Sequence, residues 1–409
     1  MTHTLIGFLG KSQKKDGLYS TANYDFDGHI ETTQFFSLGL NNVIKPDRLV
    51  ILGTSGSMWD VLFDSLVDAQ DYEEQKLALI EAVEADQVTQ AQLTACEALL
   101  KEKLNVDWHL NLIPYGDSTS TQVEILKIMA KDIGIGDQVS LDLTHGLRHL
   151  PMLGLLSAMY LQTAKKVEIN GIYYGALDRT PKNVKNPPTP VMRLDGLLKI
   201  ADWITALHGF DQTGDITPFS DLLIQEGEDE GISKVSPETA DLLKIAAFYE
   251  NTLNVTKARK PLRDFAKQTA AGLPGIASLF QDNLRERISW VNQDNIYLRQ
   301  REKAQFYLQQ SDYVRAAALG YEALITYHLK QKAPHADPEN YELRDDIKSN
   351  LKNIADPLQW PDYKLLGNIR NSLAHANRSS MAEVQQILSS EAHLKQKLTE
   401  LFEKLLPTM

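Results

Sequence analysis

QVSLDLTHGLRHLPMLGLLSAMYLQTA, residues 138–164, reads as a strand, a polar turn and a helix in immediate succession. Asp142 and Thr144 stand two apart at the strand end, so their side chains project to the same side. His145, Gly146 and Arg148 follow where the helix begins, and Pro151 is tolerated in its first turn. Taken alone, the turn reads more simply as a capping Asp/Thr pair beside a surface His and Arg.

The same pattern recurs upstream. DRLVILGTSGSMWDVLFDSLV (47–67) is a buried strand, a small-residue turn and an amphipathic helix. TLIGFLG (4–10) is a short apolar run closed by glycine. TANYDFDG (21–28) and IETTQFFSLGL (30–40) flank Asp27-Gly28 and read as a hairpin. A charged helical stretch runs from Tyr72 to Lys103. WHLNLIPYG (108–116) is a strand, STSTQVEILKIMAKDIG (118–134) a helix opened by capping hydroxyls, and KKVEINGIYYGAL (165–177) a further strand. Strands alternating with helices predict an α/β, Rossmann-like domain with a mostly parallel, doubly wound sheet.

Such sheets bind ligands at the carboxyl ends of their strands, where strand order reverses. Three polar turns fall at such ends: Gly10-Lys11-Ser12, Gly53-Thr54-Ser55-Gly56-Ser57, and Asp142 to Gly146. The second, at a helix N-terminus, offers backbone N–H groups and hydroxyls suited to a phosphate. It has neither the GK[ST] ending of a Walker A loop nor GxGxxG, so a dinucleotide cofactor is unsupported.

Beyond residue 198 the pattern becomes helical. Six segments, 236–258, 276–309, 311–332, 340–354, 361–376 and 381–406, carry apolar residues at helical spacing. The expected division is therefore 1–198, α/β, and 199–409, all-α. RNSLAH (370–375) lies on the penultimate helix. Arg370 is a permanent cationic fork, Asn371 carries both a donor and an acceptor, and His375 changes charge near neutral pH. Arg370 and His375 are five apart, which separates them by about 140° around one helix. Two copies facing each other across a two-fold axis would bring both pairs together.

Composition narrows the function. The chain of 409 residues is 43% hydrophobic and 23% charged, as in soluble globular proteins. No apolar run reaches the ~18 residues of a membrane span, and no signal peptide is evident at the start. A single cysteine, Cys96, fits a reducing, cytoplasmic setting and reads as a small buried residue. The net charge of −12 divides as 17 Lys+Arg against 25 Asp+Glu up to residue 198, and 25 against 29 after it. Neither part resembles a duplex-binding module. Histidines, carboxylates and Cys96 show no metal-ligand spacing, so no catalytic metal is expected. Lys257, Arg259, Lys260 and Arg263 read as a solvated helix face, with RNA contact as the alternative. Tyr297, Phe306, Tyr307, Tyr313, Tyr321 and Tyr327 read as core.

DLTHG (142–146) matches the DxTHG motif after which a group of CRISPR-associated proteins is described, and ILGTSGSMWD (51–60) and LIGFLG (5–10) also resemble that group. The first ~200 residues thus resemble a CARF domain, a sensor of cyclic oligoadenylate. The Rx₄H spacing, followed by Ala376 on a late helix of an all-α domain, is similar to HEPN ribonucleases. The resemblance implies a homodimer, or a higher oligomer, sharing one ring-shaped activator. Cyclic tetra-adenylate is favoured and cyclic hexa-adenylate is the other candidate. The implied ligand-binding residues are Gly10, Lys11, Ser12, Gly53, Thr54, Ser55, Gly56, Ser57, Met58, Trp59, Asp142, Thr144, His145, Gly146 and Arg148. The implied catalytic residues are Arg370, Asn371 and His375. The implied activity is metal-independent cutting of single-stranded RNA, with DNA spared and no membrane partner, in a type III CRISPR response. Alternatives are a non-catalytic nucleotide-sensing regulator, or a sensor that also degrades its own activator.

Overall fold

A computed structural model describes residues 1–11, 21–67, 72–103, 106–226, 235–354, 356–375 and 379–408. Ser12 and Ala376 lie outside the described residues. The chain divides into two compact units, Met1–Ala201 and Asp202–Met409.

The first unit is built on one sheet of eight strands: β1 (His3–Leu9), β2 (Ala22–Phe26), β3 (His29–Thr33), β4 (Arg48–Gly53), β5 (Asp107–Leu112), β6 (Gln138–Asp142), β7 (Glu168–Gly175) and β8 (Pro188–Arg193). Their order is β3-β2-β8-β7-β6-β1-β4-β5. Pairs β5-β4-β1-β6-β7 and β2-β8 are parallel, while β7-β8 and β2-β3 run antiparallel. The sheet is thus mixed, and mostly parallel as the alternation of elements predicts.

Apolar side chains on β1 and β4 alternate between two cores. Leu5, Leu9, Leu49 and Ile51 face one, and Ile6, Phe8, Val50 and Leu52 face the other. Helices α1 (Phe36–Ile44), α2 (Trp59–Leu66), α3 (Glu73–Glu84) and α4 (Gln90–Lys103) contribute to the first core. Helices α5 (Thr119–Ala130) and α6 (Leu150–Lys165) contribute to the second. Ser118 opens α5 with a capping box shared with Thr121.

Two local expectations are corrected, and one strand is added. The stretch 30–40 is not one strand: β3 ends at Thr33 and α1 begins at Phe36, because Phe36 and Leu40, four apart, both enter the core. The DLTHG turn does not open its helix directly. The helix α6 starts at Leu150, five residues beyond His145. Finally β8, PTPVMR, was not legible as a strand.

The second unit is helical. Helix α7 (Gly196–Thr213) contains the division. After it come α8 (Thr217–Glu226), α9 (Pro237–Asn251), α10 (Val255–Gln268), α11 (Ala277–Arg287), α12 (Ile296–Gln309), α13 (Tyr313–Lys332), α14 (Tyr341–Ile354), α15 (Trp360–His375), α16 (Ala382–Ile387) and α17 (Glu391–Leu405). The six expected segments resolve into more helices than six. Leu253, with φ 59°, breaks the first segment between α9 and α10. A 3₁₀ turn at Ser289–Asn292 divides the second. Gly320 on α13 lets α17 approach, since an added Cβ would collide with the Phe402 ring. Tyr297 and Tyr307 are buried in this core, and Phe306, Tyr313, Tyr321 and Tyr327 pack against it.

Candidate functional site

Strand order reverses beside β1. From β1 the chain builds β4 and β5 on one side and β6 and β7 on the other. The loops leaving β1 and β6 therefore open a crevice between them, where α/β sheets bind ligands. A cavity of about 310 Å³ occupies this position. Gly10 and Lys11 line it from the β1 turn, Thr144, His145 and Gly146 from the β6 turn, and Met58 from the β4 turn. The two main turns touch. A Cβ on Gly10 would come within 2.9 Å of the Gly146 nitrogen, and Gly146 itself sits at φ 102°. Met58 joins them by donating its N–H to the Gly10 carbonyl at 3.0 Å.

The remaining walls come from residues that the sequence did not single out. Thr21, Ala22 and Tyr24 belong to the hairpin, Gln34 and Phe35 precede α1, and Leu177 follows β7. No signal along the chain marks them, because β2 reaches the site only through its non-local pairing with β8. Among the described residues no carboxylate lines the cavity, and Lys11 places an ammonium there. Hydroxyl, amide and apolar surface beside one ammonium suits an anionic ligand with flat apolar parts.

Asp142 is not a lining residue. It is fully buried and accepts hydrogen bonds from the Ser37 hydroxyl and, at 2.8 Å, from the Thr144 N–H. Gly7 leaves the room for this, since a Cβ there would collide with Ser37. Complete burial pushes the Asp142 carboxyl above the usual carboxylate range, against the pull of His145, Ser37 and Thr144. Burial holds His145 below its ordinary value, with Asp142 opposing. The Phe36 N–H donates to His145 Nε2 at 3.2 Å, which requires that nitrogen unprotonated. Thr144 Oγ1 accepts the Gly175 N–H at 2.9 Å. The DLTHG turn is thus stitched to α1 and β7 by its own polar groups.

Apart from Met58, the β4 turn stays away from the cavity lining. The Ser57 hydroxyl donates to the Leu9 carbonyl at 2.8 Å and accepts the Thr54 N–H at 2.9 Å. Trp59 donates its indole N–H to the Thr54 carbonyl at 2.8 Å and is buried. Gly53 is glycine because a Cβ would stand 2.6 Å from the Trp59 ring, and at Gly56 a Cβ would meet Asp86 at the same distance. Ser55 donates to Asp86 at 2.7 Å. Asp86 beside Ser55 and Gly56 disfavours an anion at that end of the loop, and the Ser57 hydroxyl, expected to face a phosphate, is engaged in packing bonds. Arg148 is exposed and also outside the lining.

In the second unit Arg370, Asn371 and His375 all lie on α15, which is continuous through the motif. Arg370 is half-buried, whereas Asn371 and His375 are exposed. Arg370 Nη1 donates to Asn371 Oδ1 at 2.9 Å. Helical spacing keeps Arg370 and His375 apart around the axis by about 140°, so one chain alone does not converge them. Of the basic cluster on α10, Arg259 donates to the Val291 carbonyl at 2.9 Å and Lys260 pairs with Asp264 at 3.0 Å. Among the described residues no group of three His, Cys, Asp or Glu side chains could hold a metal ion, and no helix is long and apolar enough to cross a membrane.

Residues 4–178 match the family model described as the CARF domain of the CRISPR system endoribonuclease Csx1. The chain is also similar to CRISPR-associated protein MJ1674 of Methanocaldococcus jannaschii, at 24% identity over 416 aligned residues. That alignment covers 94% of this chain, which spans 63% of the relative's length. The switch-point cavity, the DLTHG turn that borders it and the family match agree: the first unit is a CARF domain, and the chain is a CARF-containing CRISPR-associated protein.

Proposed function

We propose that this protein is an RNA-cutting effector of a type III CRISPR response, switched on by a cyclic oligoadenylate in the cavity of the CARF domain. The observation that carries the cutting half is on α15, where Asn371 fixes the Arg370 guanidinium within the Rx₄H motif and His375 is exposed at the helix end.

RNA brings its own nucleophile, the 2′-hydroxyl beside the scissile phosphate. His375 moves protons, since an imidazole can serve as both acid and base in one reaction. Arg370 stabilises charge on the phosphoryl oxygens as a planar fork. Attack by the 2′-oxygen forms the new P–O bond and expels the 5′-oxygen, which takes up a proton. The products are a 2′,3′-cyclic phosphate and a 5′-hydroxyl, and the reaction as written uses no metal. Two chains facing across a two-fold axis supply two Arg370/His375 pairs to one cleft, which answers the divergence of the two residues on a single helix.

The cavity supports the sensing half. Lys11, with no carboxylate among the described lining residues, favours a polyanion, and Phe35, Met58 and Leu177 favour bases. About 310 Å³ is at the low end for small-molecule pockets, suited to part of a ring rather than all of it. A homodimer sharing one ring, with cyclic tetra-adenylate favoured over cyclic hexa-adenylate, fits that size. Labelled single-stranded RNA and DNA incubated with the purified protein, with and without each cyclic oligoadenylate, test the reading. RNA, but not DNA, cut only when activator is present, and cut equally well in EDTA, supports it. Activator binding without cleavage would leave a non-catalytic sensor.

A further inference from the structure

We infer that Tyr321 is a positioning residue that presents Arg370 to the scissile phosphate, an inference that rests on the ribonuclease reading above. The guanidinium carbon of Arg370 lies 5.8 Å from the centre of the Tyr321 ring on α13. Gly367, about one turn before Arg370, makes room for that ring, since an added Cβ would stand 3.3 Å from Tyr321 Cε2. Arg370 Nη1 is held by Asn371, and Nε is buried without a hydrogen-bond partner. Among the described residues Nη2 has no partner either, which leaves it for a ligand oxygen.

A buried Nε with no acceptor is an unmade hydrogen bond and works against this placement of the side chain. The attraction that offsets it is that of a cation for an aromatic face. Tyr321 is half-buried, and burial and Glu322 raise its phenol above the ordinary value while Arg370 lowers it, so the ring stays neutral at working pH. Arginine otherwise loses considerable rotamer freedom on engaging a phosphate. A ring and an amide that already fix the fork reduce that loss, and the gain falls on the step in which phosphoryl charge develops.

The consequence is a change in kcat rather than in KM for RNA. In the full-length protein at saturating cyclic tetra-adenylate, Tyr321→Phe retains kcat within about twofold, because the aromatic face remains. Tyr321→Leu lowers kcat roughly tenfold with KM for RNA within about twofold, measured where each variant is fully folded. Tyr321→Met fills the same space without a π face and gives the same readout should the leucine variant fail to fold. Wild-type kcat in the folded Leu or Met variant overturns the inference, as does equal loss in Tyr321→Phe and Tyr321→Leu. Two further arms separate the levels: no RNA cutting by the wild-type protein overturns the ribonuclease reading itself, and wild-type cutting by Arg370→Ala removes the reaction from α15, whereas an inactive Arg370→Ala beside a fully active Tyr321→Leu overturns only the role of Tyr321.

Discussion

The backbone N–H of Phe36 donates to Nε2 of His145 at 3.2 Å, tying the first turn of α1 to the strand-end turn that borders the cavity. A protonated imidazole could not accept that bond. His145 is held below its ordinary pKa of 6.5 by burial, so the unfolded chain binds protons near pH 6.5 more readily than the folded one. Its contribution is complete above that pH and is lost as pH falls. Asp142, pushed up by burial, acts in the opposite sense, so wild-type stability alone does not isolate the histidine. His145→Gln removes the titrating group. The difference in Tm between wild type and this variant should narrow from about pH 7.5 to about pH 5.5. A constant difference would show that His145 does not titrate across folding.

Replacing Arg370 or His375 with Ala should lower RNA cleavage by roughly 10²-fold or more, while activator binding stays near wild type. Asn371→Ala removes the carbonyl that holds Nη1 and should cost about tenfold, less than loss of the guanidinium itself. Cleavage assays with calorimetric titration of the activator separate these effects. Full activity in either alanine variant would move the reaction elsewhere.

Deep in the second unit Lys303 and Glu250 pair at 2.9 Å, each about 5% exposed, with Lys303 also 4.9 Å from the ring centres of Phe306 and Tyr307. Glu250→Gln leaves a buried ammonium without its counter-charge. It should destabilise the helical unit by about 3–5 kcal/mol, whereas Lys260→Ala, which breaks an exposed pair, should change stability by less than about 1 kcal/mol. Denaturant titration of both variants measures the contrast, and similar losses would refute it.

Much of the CARF half was legible because its central strands are short apolar runs that polar turns interrupt. Asp27-Gly28 marked its hairpin, with both residues at positive φ. β8 was hidden by Pro188 and Pro190, which lack the N–H that an interior strand normally donates. At the site, Gly10, Lys11, Thr144, His145 and Gly146 were legible as strand-end turns and do meet in one cavity. The Gly53–Ser57 turn is ambiguous in sequence because small residues serve two ends: they cradle anions, and they admit large neighbours such as Trp59. Only the folded packing separates the two. Ser37 and Phe36, which hold Asp142 and His145, belong to an element more than a hundred residues away in sequence.

The central claim is that occupancy of the CARF cavity drives cutting on α15. A ligand can do so only as far as it binds the active arrangement more tightly than the resting one. The most direct measurement is the activator concentration for half-maximal RNA cleavage in wild type, Lys11→Ala, Thr144→Ala and Arg148→Ala. Lys11→Ala should raise that midpoint by about 1–3 kcal/mol, roughly 5- to 150-fold, at an unchanged maximal rate. Thr144→Ala should also raise it, because Gly175 loses its acceptor and the turn loosens. Arg148→Ala, outside the lining, should shift it least. Unchanged midpoints in both Lys11→Ala and Thr144→Ala, or cleavage that needs no activator, would contradict the account.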